Sequence, residues 1–196
     1  MAQGRKGVTS LHSTHYNRKT SMTEFKGRTA VLTGAASGFG LECARIAAQE
    51  GMDVVMVDVQ ADALAAAATE IAALAAAQGG RVLARQVDVS NAAAMQALAD
   101  EVQREFGAPS LVFNNAGVGV GGLIWEHSIK DWEWVLGVNV WGVVHGVRLF
   151  TPMMLAAAAA DPQFQGHVVN TASMVAVVAA QHGRLQRQQA CSGHAQ

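Results

Sequence analysis

At 196 residues, with 51% apolar residues, 15% charged residues and a formal net charge of −1, the chain can bury one sizeable core. That balance excludes a disordered segment and a basic nucleic-acid binder, so no nucleic-acid partner is expected. Cys43 and Cys191 have neither metal-ligand spacing nor the density of a disulfide framework; no metal and a reducing cytoplasmic setting are expected.

Residues 1–23 carry Arg5, Lys6, Arg18 and Lys19, many Ser and Thr, and no acidic side chain. Without an apolar h-region they are no secretory signal, and residues 1–24 read as a flexible leader. From Arg28 onward, short apolar runs alternate with alanine-rich helical segments, the pattern of successive βα units in a parallel sheet. Thr29–Thr33 is expected as a strand, Gly38–Gln49 as a helix, Asp53–Val57 as a strand ending at Asp58, and Ala61–Gln78 as a helix stopped by Gly79–Gly80. Arg81–Val87 follows as a third strand, then a helix over Asn91–Phe106 with Ser90 as its N-cap, then a strand over Ser110–Asn114. Helix is expected over Ile129–Leu136 and on through Ala159, with a local break near Pro152, before a fifth strand at Gly166–Thr171. The low-charge stretch Val135–Ala160 contains His145, Arg148 and Pro152, which makes it a poor membrane span, so no membrane partner is expected.

The fold expected from this order is a Rossmann-like, doubly wound α/β sheet over residues 25–180, incomplete on its C-terminal side. Its first turn, Thr33-Gly34-Ala35-Ala36-Ser37-Gly38-Phe39-Gly40, leaves a strand and opens a helix. Small residues there let backbone N–H groups and the positive helix end approach a diphosphate, which nominates Gly34, Ser37, Gly38, Phe39 and Gly40 for cofactor binding. The spacing Gly-x-x-x-Gly-x-Gly is one residue longer at the first gap than the general dinucleotide fingerprint. Asp58, 18 residues beyond Gly40, is placed to accept hydrogen bonds from an adenosine ribose and to repel a 2′-phosphate. With no Arg or Lys in the loop or directly after Asp58, NAD is expected over NADP. His127, His145 and His167 lack ligand spacing and read as surface or satisfied histidines. Trp125, Trp132, Trp134 and Trp141 read as packing and interface residues rather than a binding cage.

Taken with Asn114-Asn115-Ala116-Gly117, the Thr33–Gly40 segment resembles the short-chain dehydrogenase/reductase family, from about Lys26 to Val178. The resemblance implies adenine-side roles for Asp88 and Val89, cofactor contacts for Asn115, Ala116 and Gly117, a helix-borne catalytic Asn139, and Ser173 as the catalytic serine. It implies hydride transfer between a nicotinamide cofactor and a small alcohol or ketone, in a homo-oligomer. Asn139 lies in an otherwise apolar helix, where an amide is costly unless hydrogen-bonded.

The family's pattern then breaks. It calls for a tyrosine about twelve residues after the serine and a lysine four later on the same helical face, the lysine's charge lowering the phenol pKa. Here those positions read Leu185-Gln186-Arg187-Gln188-Gln189, and Tyr16 is the sole tyrosine. Residues 181–196 turn rich in Gln, Arg and His without apolar periodicity and read as an aberrant tail. Back-translated and read one base later, they permit Asn-Met-Gly-Ala-Tyr-Asn-Val-Ser-Lys-His-Ala-Val-Val-Thr-Leu, which contains the missing motif at the expected distance. The expectation is a single frameshift near Ala180, and a polypeptide that is inactive for want of Tyr and Lys. The alternative is a non-catalytic protein that binds NAD or a partner.

Overall fold

A computed structural model describes residues 24–172 of the chain. Its sheet is built from strands whose apolar runs are continuous rather than alternating, because both faces are covered by helices. In β1 (Thr29–Thr33) all five residues are buried, and in β2 (Asp53–Asp58) all but Asp53 are. The strands β3 (Val82–Gln86), β4 (Leu111–Asn114) and β5 (His167–Asn170) complete a five-stranded sheet in the order β3-β2-β1-β4-β5, every pairing parallel.

Alternation along the strands sorts side chains to two layers. Ala30, Leu32, Val54 and Met56 join Ala44, Ala48, Leu64 and Ile71 from α1 (Gly38–Gln49) and α2 (Ala61–Gln78). Val31, Val55, Val57 and Val112 face α3 (Ala92–Phe106) and α5 (Gly142–Ala160), whose Met95, Leu98, Val102, Leu149, Phe150 and Met154 fill the second layer. The chain winds outward from β1 to β3 and then returns to β4 on the other side of β1. The strand order therefore reverses between β1 and β4, where open α/β sheets form their ligand crevice.

The strands and α1 and α2 stand where the apolar pattern puts them, to within a residue at either end. Three local expectations are corrected. The N-cap of α3 is Asn91, whose side chain accepts the Ala94 N–H at 3.0 Å, while Ser90 gives its hydroxyl to Asp88 Oδ1 at 2.7 Å. Asp88 competes for the serine and leaves the cap to its neighbour. Secondly, Pro152 does not break the helix: α5 runs through it to Ala160. The proline leaves the Arg148 carbonyl without its usual donor, but it is exposed, and Leu149, Phe150 and Met154 anchor the helix on both sides.

The third correction is a π-helical turn, Gly137–Trp141, between α4 (Ile129–Leu136) and α5. The Gly142 N–H reaches the Gly137 carbonyl, a bond that skips one residue more than an α-helix does. By length and composition alone the stretch Ile129–Ala160 is long and apolar enough to cross a membrane. Its buried apolar side chains in this fold, Leu149, Phe150 and Met154, pack on the sheet, and His145 is buried beside them.

Candidate functional site

The turn after β1 is shaped by backbone fit. Gly34 has φ +66°, and a Cβ there would come within 2.9 Å of the Ala116 Cα; one on Gly40 would lie 2.1 Å from the Gly34 carbonyl oxygen. Gly38 has φ +54° and open space around its missing Cβ. No side chain caps α1 at Ser37 and no acidic residue stands in its first turn. The helix therefore presents its opening N–H groups and positive dipole end to a cleft of about 500 Å³.

Asp58, at the end of β2, is buried and fixed at both oxygens: Oδ2 accepts the Ala36 N–H and Oδ1 the Gln60 N–H, each at 3.0 Å. The first bond ties the acid to the glycine loop. The second is local, because Gln60 is the N-cap residue of α2. Asp58 thus serves the start of that helix as well as the cleft.

On the other side of β1, Thr33 and Asn115 lock the strand ends together. Thr33 Oγ1 accepts the N–H groups of Asn115 and Ala116, both at 3.0 Å. Asn115 Nδ2 donates to the Thr33 carbonyl at 3.2 Å, and its Oδ1 accepts the Thr171 hydroxyl at 3.1 Å. Asn114 Nδ2 donates to Asn170 Oδ1 at 2.8 Å, joining β4 to β5. These side chains hold the loop after β1, the loop after β4 and the end of β5 in one frame.

Of the residues nominated from sequence, Gly34, Ser37, Gly38, Phe39, Asp58, Asp88, Val89, Asn115, Ala116 and Gly117 all line this single cleft. Gly40 does not line it; it lets α1 pass close to Gly34. Asn139 is bound to the cleft wall, accepting the Val118 N–H at 2.9 Å through Oδ1 and donating to the Val118 carbonyl at 2.8 Å through Nδ2. Ser173 lies outside the described residues, as do Tyr16 and the tail. Among the described residues no group of His, Cys, Asp and Glu could hold a metal. Sequence reasoning passed over Gln60, Val118, Trp134, Val138 and Thr171, which also line the cleft. Trp134, read from sequence as a packing or interface residue, stands half-exposed at the wall of this cleft. Its spacing of four from Val138 is a usable signal only once the α4 face is known.

A glycine turn opening a helix, an acid closing the next strand and small residues after the fourth meet at one cleft on a Rossmann-like sheet, the arrangement in which such sheets bind dinucleotides. The family profile described as short chain dehydrogenase matches residues 28–185. The chain belongs to that family.

Among its relatives, 1-deoxy-11-beta-hydroxypentalenate dehydrogenase of Streptomyces avermitilis is 41% identical over 152 residues, 76% of this chain and 53% of that protein. A short chain dehydrogenase/reductase from Burkholderia phymatum, solved in complex with NAD, superposes with a TM-score of 0.72 at 43% identity, covering 87% of this chain and 60% of that one. L-Sorbose reductase from Gluconobacter frateurii, complexed with NADPH and L-sorbose, gives a TM-score of 0.69 at 33% identity, covering 79% and 55%. The chain spans about half the length of the curated relatives it matches. The family uses nicotinamide cofactors, and solved relatives hold both kinds.

Proposed function

We propose that the gene encodes an NAD-dependent oxidoreductase that interconverts an alcohol and a ketone, and that the polypeptide ending in residues 181–196 binds the dinucleotide without turning it over. The observation that carries this reading is the convergence of Gly34, Ser37–Phe39, Asp58 and Asn115–Gly117 on one cleft at the switch point of the sheet. Gly34 and Gly40 let the loop, α1 and the Ala116 backbone pack closely, and Gly38, with nothing within 4 Å of its missing Cβ, leaves open space beside the cleft for a diphosphate. When bound, the nicotinamide supplies the hydride acceptor or donor.

The chain's own residues set the rest. Loop N–H groups at the start of α1 hold the diphosphate, and Asp58 takes the adenosine ribose hydroxyls. Two backbone N–H groups hold both Asp58 oxygens as acceptors, and a carboxylate at this place disfavours a 2′-phosphate; the loop and the residues after Asp58 offer no Arg or Lys in return. Asn139 steadies the loop at Val118. Ser173, two residues beyond the anchored Thr171, would orient the substrate oxygen. Without the tyrosine and lysine there is no group to exchange a proton with that oxygen, since an amide such as Gln186 does not titrate near neutral pH. The unpaired Cys43 suits a reducing cytoplasm.

Two measurements test the reading. Resequencing codons 175–196 and the stretch beyond is expected to show a frame that opens into Tyr-x-x-x-Lys, and the frame-restored protein is expected to reduce NAD with secondary alcohols. Calorimetric titration of the short chain is expected to show NAD bound and NADP bound at least about tenfold more weakly, a difference of about 1.4 kcal/mol. An authentic tail on a chain that binds NAD favours the non-catalytic alternative; a chain that binds neither nucleotide defeats the dinucleotide-binding reading and leaves only a partner-binding role.

A further inference from the structure

We infer that Trp134 is the aromatic wall of the base end of the cleft, stacking on the adenine of the bound dinucleotide. The inference rests on the nucleotide-binding reading above and adds to it a residue that the glycine, aspartate and asparagine motifs do not contain.

The direction of the nucleotide follows from strand order. With the diphosphate at the end of β1 and the adenosine ribose at Asp58 on β2, the base extends toward β3, the next strand outward. There the cleft is floored by Val87–Val89 and bounded by Trp134 and Val138, one helical turn apart. The helix carrying them is pressed onto that floor. A Cβ on Gly137 would stand 3.3 Å from Ser90 Cβ, and one on Gly142 would stand 2.7 Å from Val89 Cγ2. Trp134 therefore overhangs the same end of the cleft as the Asp88–Val89 pair.

Its surroundings set this tryptophan apart from its neighbours. Trp132 lies edge-on to His127 and Trp141 lies against His145, with ring centroids 6.5 and 6.0 Å apart. Trp134 pairs with no aromatic ring among the described residues, and it is 50% exposed while lining the cleft. A half-exposed indole leaves a large apolar surface in water. A purine base covers such a surface and gains stacking that does not depend on hydrogen-bond pattern. Asp88, on the floor beside it, offers a carboxylate to the base edge, so stacking and polar contact come from different elements.

The test uses the full 196-residue chain, with ADP-ribose as the probe because it carries the base, ribose and diphosphate without the nicotinamide. Binding is followed by calorimetry and by tryptophan fluorescence. Trp134→Ala is expected to weaken ADP-ribose about tenfold or more, and Trp134→Phe, which keeps a stacking ring, by less than about threefold. ADP-ribose should quench the parent's emission; Trp134→Phe should lose most of that quenching while Trp125→Phe retains it. Parent-like affinity in Trp134→Ala, or undiminished quenching in Trp134→Phe, overturns the inference and leaves the nucleotide-binding reading standing. A parent chain that fails to bind ADP-ribose overturns both. Should the alanine variant unfold, the phenylalanine variant still decides through its quenching.

Discussion

Asn139 and Val118 exchange two hydrogen bonds, side-chain amide to backbone N–H and C=O, at 2.9 and 2.8 Å. The pair joins the middle of the π-helical turn to the loop following the Asn115–Gly117 segment. Asn139→Leu removes both bonds and leaves the Val118 backbone to water. Because the site is partly exposed, the expected loss is about 1–2 kcal/mol, read as a lower urea midpoint with an unchanged slope. No change in midpoint would show that the turn is held by helix packing alone.

Gly40 and Gly38 separate steric fit from backbone strain. A Cβ on Gly40 would overlap the Gly34 carbonyl, whereas one on Gly38 meets nothing within 4 Å. Gly38→Ala is expected to cost about 1–2 kcal/mol, the ordinary penalty of a left-handed non-glycine residue. Gly40→Ala should cost more and abolish NAD binding, because α1 must move away from the loop. Thermal melts and NAD titrations of the two variants check the order.

Asp58→Ala should narrow the gap between NAD and NADP from both sides, weakening NAD about tenfold and relieving the repulsion of a 2′-phosphate. It also orphans the buried Ala36 N–H, so a loss of about 1–3 kcal/mol in stability is expected alongside. Asp58→Asn keeps an acceptor for that N–H and should restore stability more than NAD preference.

The cap of α3 offers a direct comparison. Asn91→Ala should destabilise by about 1 kcal/mol, as loss of an N-cap does. Ser90→Ala loses only an exposed bond to Asp88 and should cost clearly less. Equal costs in chemical denaturation would return the cap to Ser90.

Acid sensitivity follows from three carboxylates held below their ordinary range: Glu101 by the Arg85 guanidinium, Glu70 by that of Arg45, and Asp131 by the Ser128 hydroxyl and N–H. A carboxylate whose folded-state pKa is depressed contributes stability that is fully present above its unfolded value. That stability is lost as pH falls through the folded one. The melting temperature should hold from pH 7 to about 5 and fall below about 4.3, the ordinary glutamate value. Glu101→Gln should lower it at pH 7 and flatten the acid slope; an unchanged slope would mean that this ion pair contributes nothing.

Much of the fold was legible because parallel strands buried on both faces are written as unbroken apolar runs such as Val54–Val57, and because Gly79 marks a helix end by its left-handed backbone. The cofactor side of the cleft was legible for a related reason. Phosphate and ribose recognition depend on a glycine turn and an acid at set distances along one βαβ unit, so the spacing is carried by contiguous chain.

What lay beyond the sequence depends on residues far apart in it. Whether Ser90 or Asn91 caps α3 turns on the bond that Asp88 makes. Pro152 stays within α5 because side chains on either side of it are anchored on the sheet. Gly40 contacts the loop instead of lining the cleft because α1 folds back against Gly34, and Asn139 finds its partners at Val118, 21 residues earlier. Trp134 shows the division most plainly: its place in the apolar pattern of α4 reads as packing, and only the seating of Gly137 and Gly142 on Ser90 and Val89 turns it toward the cleft. Local chemistry and periodicity are properties of neighbouring residues and survive in one dimension; which surfaces meet is decided when the helix docks on the sheet.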